Sequence, residues 1–191
     1  MAPSPVRLAW EQVSQGIARR DVAWRLLRDL APGARPTNAC PRCGGPHGPV
    51  TLEDSDLVGS VSYAGGFAIV AVAAPDAASG IGIDAELAVD PHRDAVGLAG
   101  VLGPDRAADV RAWTRVEAAL KADGRGLRVD PGLVEIIEAS TTWSARVPGR
   151  PGLLIGYDLA GGPAGVVVSA ALAPPLNASG TAAAEPGRST R

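Results

Sequence analysis

Trp113-Thr114-Arg115-Val116-Glu117-Ala118-Ala119-Leu120-Lys121 is the stretch whose reading decides how this chain is organised. Trp113, Val116 and Leu120, with Ala119, recur near a 3.6-residue period and form an apolar stripe, which predicts a helix. Glu117 and Lys121 stand four residues apart and so share one face beside that stripe. Lys121 is the one lysine among 18 Lys and Arg. A chain that uses arginine wherever a surface cation suffices keeps lysine for what arginine cannot do, such as releasing a proton or acting as a compact point charge. The ordinary alternative is a helix-stabilising Glu/Lys pair.

Working outward, the helical pattern covers residues 91–123 and stops at Asp123-Gly124-Arg125-Gly126, where glycine takes the left-handed cap. Upstream lie three apolar runs, Val58 to Tyr63, Phe67 to Ala74 and Gly80 to Ala85. Gly65-Gly66 and Pro75-Asp76 separate them with the turn chemistry of consecutive strands. Downstream, Leu133 to Glu138, Thr141 to Val147, Leu153 to Leu159 and Gly165 to Leu172 again read as strands. Near the start, Trp10, Val13, Ile17, Val22, Trp24, Leu26, Leu27 and Leu30 approximate a helical period over residues 9–30, closed by Ala31-Pro32-Gly33. The order helix, strands, helices, strands predicts an α+β fold; its halves, residues 1–86 and 87–173, look loosely alike, which hints at an internal duplication. Beyond Pro174 the apolar period disappears, and residues 174–191 read as a disordered tail.

The chain of 191 residues can bury a real core. Its net charge of -2 argues against a dedicated nucleic-acid or membrane-surface protein. No apolar run reaches the roughly 18 residues of a membrane span. The first residues lack the pattern of a secretory signal, so the expected location is cytoplasmic. Four tryptophans are present without an interleaved basic stripe, which reads as core or cleft wall and not as a nucleic-acid platform. Cys40 and Cys43 sit too close together to staple distant parts of a fold. With His47 they have the spacing C-x2-C-x3-H, three possible zinc ligands. A closed structural site takes four, and His92 is the only other histidine. The preferred reading of that loop is a turn rich in small residues.

Ile81-Gly82-Ile83-Asp84-Ala85-Glu86 is the second informative stretch. On an extended strand Asp84 and Glu86 project to one side, about 7 Å apart, while Ile81 and Ile83 face the core. Two carboxylates so placed repel unless a cation or a shared proton lies between them. Oxygen ligands suit magnesium, which takes one or two protein carboxylates and completes its octahedron with water and phosphate oxygens. A strand running out into a polar loop is the plainer alternative.

Taken together, Gly-Ile-Asp-x-Glu followed by Trp-Thr-x-x-Glu-Ala-x-x-Lys and Gly-x-Gly resembles the 4'-phosphopantetheinyl transferases, specifically the single-chain, pseudo-duplicated class. Ser60-Val61-Ser62-Tyr63-Ala64-Gly65-Gly66 and the Cys-Pro-x-Cys-Gly-x-Pro-His-Gly loop extend the resemblance over about residues 15 to 172. It implies two α/β halves in a pseudo-twofold arrangement, with coenzyme A in the cleft between them. The implied reaction moves 4'-phosphopantetheine to a serine of an apo acyl or peptidyl carrier protein and releases 3',5'-adenosine bisphosphate. By motif position Asp84, Glu86 and Glu117 are implied as Mg2+ ligands, and Glu117 and Lys121 as catalytic residues. Ser62, Tyr63, His47 and Arg25 are the implied contacts to coenzyme A. A chain holding both halves can close the cleft within itself, so a monomer is expected. The alternative is a weakly active or non-catalytic relative that binds coenzyme A or a carrier.

Departures from the family's pattern are specific. Val116 stands where relatives have a lysine, Tyr63 replaces a phosphate-contacting histidine, and Pro49-Val50 replace a basic residue and a proline. Each lost charge-assisted hydrogen bond costs about 1.5–3 kcal/mol. Arg19, Arg20, Arg25 and Arg42 are the candidate substitutes.

Overall fold

A computed structural model describes residues 4–93, 95–103 and 109–175. The first unit contains β1 (Arg7–Gln12), α1 (Arg19–Leu30), β2 (Arg35–Thr37), β3 (Thr51–Glu53), β4 (Val58–Ala64) and β5 (Phe67–Ala73). Next come β6 (Gly80–Leu87), α2 (Ala95–Leu102), α3 (Val110–Asp123), β7 (Glu135–Glu138), β8 (Trp143–Arg146), β9 (Leu154–Asp158) and β10 (Val166–Ala173). Two antiparallel sheets result, β1-β5-β4 and β6-β10-β9-β8-β7, and β2 pairs with β3 in a small ribbon. The fold is α+β.

Alternation along β5 explains the layering. Ala68, Val70 and Val72 pack under α1 with Leu26 and Leu27, while Ile69, Ala71 and Ala73 turn to the opposite face. That opposite face meets Ile81, Ile83 and Ala85 of β6 and Val168 and Leu172 of β10 in a core shared by both sheets. The far side of the second sheet carries α3, whose Val116, Ala119 and Leu120 bury against Trp143, Leu154 and Ala171. Each sheet therefore has a helix on its outer face and the common core on its inner one, the layering expected when every amphipathic face must be covered.

Helix α3 begins at Asp109, whose Oδ1 accepts the Ala112 N–H at 2.7 Å, and ends at Gly124 in the left-handed conformation. It crosses β6 at Gly82, where an added Cβ would lie 2.0 Å from the Ala118 carbonyl oxygen. The glycine admits the helix backbone against the strand. Thr114, fully buried, fixes the register of the same helix by bonding to Ser169 Oγ of β10 at 3.0 Å. Arg115 adds two bonds to Asp158 of β9, at 3.1 and 2.6 Å.

Two expectations need correction. Residues 9–12 are strand, not the start of a helix, and α1 spans only Arg19–Leu30. The outer edge of β5 requires a partner, and β1 supplies it from Arg7↔Val72 to Gln12↔Phe67, with Trp10 edge-on to Phe67 at 5.5 Å. The helical stretch over 91–123 is two helices, α2 and α3, with residues 104–108 outside the described range. Strand β6 hydrogen-bonds to β10 along its whole length, from Gly80↔Ala173 to Leu87↔Val166. The break between the two larger sheets thus falls before β6. Of the expected tail, residues 176–191 lie outside the described residues.

Candidate functional site

The two sheets meet where β4 runs beside β6, and the seam is joined by serine side chains. Ser60 Oγ accepts the Ile83 N–H at 3.0 Å, and Ser62 Oγ accepts the Ala85 N–H at 3.2 Å. Ser62 Oγ also donates to Asp84 Oδ1 at 3.1 Å. The Ser62 hydroxyl, expected at the coenzyme, is therefore engaged by β6 and orients Asp84.

Asp84 is only 5% exposed. Lys121 reaches across from α3 and donates to its Oδ1 at 2.6 Å and to the Ile83 carbonyl at 3.1 Å. The other oxygen, Oδ2, is buried and has no hydrogen-bond partner. An unpaired carboxylate oxygen in such a place costs free energy that a cation could offset.

Glu86 and Glu117 complete the acidic group. Burial raises the Glu117 carboxyl above its ordinary range; Lys121 opposes this, and Asp84 and Glu86 add to it by repulsion. Burial also raises Glu86, with further repulsion from Asp84, offset by Arg93, Trp113 and Lys121. Arg93 holds Glu86 at 3.7 Å. Strand β6 and helix α3 thus bring the sequence-predicted residues Asp84, Glu86, Glu117 and Lys121 into one electrostatic neighbourhood. The donor set suits a hard divalent ion: three carboxylates, one bearing an orphaned buried oxygen. Their oxygens are not drawn together within 4.8 Å as the Cys40, Cys43 and His47 ligand atoms are.

Beside Lys121 opens a cleft of about 550 Å³. One wall is the Cys40–Val50 loop with His47, the floor is Gly59, Ser60 and Ile81, and the other wall is the end of α3 with Arg125 and Arg128. Arg42, Lys121, Arg125 and Arg128 make its lining cationic. Arg125 is braced by Asp123 at 2.6 and 3.1 Å and by the Pro148 carbonyl at 2.7 Å.

The remaining predicted contacts fall elsewhere. Tyr63 lines a second pocket of about 350 Å³, with the Arg19 guanidinium 4.5 Å from its ring centre. Arg25 is not part of the cationic cleft; it pairs with Glu11 at 2.5 Å and Asp29 at 3.9 Å on the outer side of α1. Arg20 donates to the Pro46 carbonyl at 2.9 Å and steadies the cysteine loop from behind. Of the four candidate substitutes only Arg42 lines this cleft. Arg125, which the sequence reading placed in the helix stop, and Arg128, which it did not single out, are the cations it missed. The one signal was the Gly124-Arg125-Gly126 turn that follows Lys121, since Lys121, Arg125 and Arg128 all line the cleft.

Val116 is fully buried against the β-sheet core, so a lysine at that position could not face the cleft in this chain. The thiol of Cys40 lies low, at about 7, chiefly because the Arg42 and Cys43 backbone N–H groups donate to it. No protein-family model matches the chain, and no curated protein matches it in sequence.

Proposed function

We propose that this protein transfers 4'-phosphopantetheine from coenzyme A to a serine hydroxyl of an apo carrier protein, releasing 3',5'-adenosine bisphosphate. One observation carries the reading: Lys121, which also lines the cationic cleft, bonds to the buried Asp84 and acts electrostatically on Glu86 and Glu117. In this reading the two units are the pseudo-twofold halves of a 4'-phosphopantetheinyl transferase.

Asp84 and Glu86, with Glu117 directly or through water, would hold Mg2+. When bound, the ion supplies charge neutralisation at the pyrophosphate. Lys121 sits between the carboxylates and the cleft, placed to balance charge on the leaving bisphosphate. Arg42, Arg125 and Arg128 offer the remaining phosphate contacts, in place of the cations that Val116, Tyr63 and Pro49-Val50 lack. Glu117, whose carboxyl is raised by burial, is suited to take the serine proton as the hydroxyl oxygen bonds to the β-phosphorus and the pyrophosphate P–O bond breaks. Transfer of this kind needs positioning and charge more than covalent help from the protein.

A second reading, binding without turnover, draws on the Lys121–Asp84 ion pair, which already satisfies one oxygen of the principal ligand. Incubation with coenzyme A, Mg2+ and several apo carriers, read by intact mass, separates the two. A gain of one phosphopantetheine on a carrier supports the transferase; binding of coenzyme A with no gain on any carrier supports the binding module.

A further inference from the structure

We propose that Cys40, Cys43 and His47 form a zinc site with three protein ligands and a fourth position open to water on the rim of the cationic cleft. Closed structural zinc sites take four protein ligands, but three with an open position is an equally regular arrangement. The spacing argument against zinc therefore fails once the geometry is known.

The ligand atoms are already assembled. One ligand atom from each of the three residues lies within 4.8 Å of the others, and Cys43 Sγ stands 3.5 Å from His47 Nε2. Tetrahedral zinc with bonds of about 2.3 Å to sulfur and 2.0 Å to nitrogen sets those atoms about 3.5–3.8 Å apart. The existing separation matches one edge of that tetrahedron.

The loop backbone is also shaped for the purpose. Gly44 N–H donates to the Cys40 carbonyl and Cys40 N–H to the Gly45 carbonyl, both at 2.8 Å, closing a tight knuckle. Gly44 is left-handed, at φ 71°, and a Cβ on Gly45 would stand 3.0 Å from the His47 ring. At Gly48 a Cβ would meet the Ala39 carbonyl at 2.4 Å. Three glycines thus permit the close folding that brings His47 back over the two sulfurs.

Charge supplies a reason for the ion. Two thiolates would place negative charge on the wall that carries Arg42 and faces Lys121, Arg125 and Arg128. One Zn2+ cancels it, with both thiol protons released to solvent. The loop then presents Arg42 to the cleft from a rigid, neutral base.

The site is independent of the transferase reading, and its test uses metal binding alone. Full-length protein is stripped with chelator under reducing conditions and titrated with Zn2+, then in parallel with Co2+ as a spectroscopic probe. One zinc per chain and a thiolate-to-cobalt charge-transfer band are expected. Cys43→Ser and His47→Gln, each with an unchanged circular dichroism spectrum, are expected to weaken zinc by more than the roughly 10–100-fold typical of losing an outer-shell partner. Substoichiometric zinc, cobalt spectra without thiolate bands, or variants that bind zinc as the parent does would each overturn the site. Loss of two mass units on air exposure, with no zinc affinity in the reduced protein, would replace it with a Cys40–Cys43 disulfide.

Discussion

Asp84 is the residue through which every part of the candidate site communicates. Ser62 orients it from β4, Lys121 neutralises it from α3, and burial leaves Oδ2 without a partner. If Asp84 is the principal ligand, Mg2+ at about 100 times its dissociation constant should stabilise the protein by about 2.7 kcal/mol. Asp84→Asn should remove that increment, and thermal unfolding with and without Mg2+ reads it directly. Equal Mg2+ stabilisation of parent and variant would place the ion elsewhere. Glu117 gives a prediction of opposite sense. Its carboxyl is raised by burial and by Asp84 and Glu86, against the pull of Lys121. A raised carboxyl stabilises the fold in its neutral form, so its favourable contribution is present below the unfolded glutamate value and is lost as pH rises through the folded one. Glu117→Gln should therefore raise the melting temperature of metal-free protein at neutral pH and leave it nearly unchanged in acid, while abolishing transfer. A variant less stable at neutral pH would show that Lys121 outweighs burial.

At the scale of elements, the contact between α3 and β6 positions the chemistry, and a glycine makes it possible. Gly82→Ala drives a methyl group into the Ala118 carbonyl and the Lys121 Cβ. The expected cost is about 1–3 kcal/mol of overpacking, with Lys121 displaced from Asp84. Denaturant unfolding checks the first effect. On the other side of α3, Asp158 is held below its ordinary range by Arg115, Ser169 and Arg111 despite burial, which acts to raise it. A lowered carboxyl contributes stability above its unfolded value and loses it as pH falls through the folded one. Asp158→Asn should cost about 1–3 kcal/mol at neutral pH, and the difference from the parent should vanish in strong acid. A constant difference across that range would contradict the assignment.

Much of this level was legible in the sequence. The α3 stripe and its glycine stop, the Gly80 strand and the hairpin at Gly65-Gly66 followed from local periodicity and turn chemistry. The strand at Arg7–Gln12 was not, because Trp10 and Val13 fit a helical period and only the unfilled edge of β5 selects the extended form. Pairing of β6 with β10, whose partners lie 79 to 93 residues apart in sequence, has no local signal at all.

At the scale of the whole molecule, a seam between two helix-backed sheets places an acidic group and a cationic cleft side by side. The carboxylates and Lys121 could be read from motif spacing. The cleft-lining cations could not, since Arg125, Arg128 and Arg42 reach the cleft from loops whose course depends on tertiary packing, while Arg25 is drawn away by Glu11. Among the described residues no helix is long and apolar enough to cross a membrane. The most direct measurement is the rate of 3',5'-adenosine bisphosphate release from coenzyme A in the presence of an apo carrier that accepts the arm, for the parent and Asp84→Asn side by side. The account predicts Mg2+-dependent release by the parent and none above background by the folded variant. Release by Asp84→Asn at the parent's rate would contradict it.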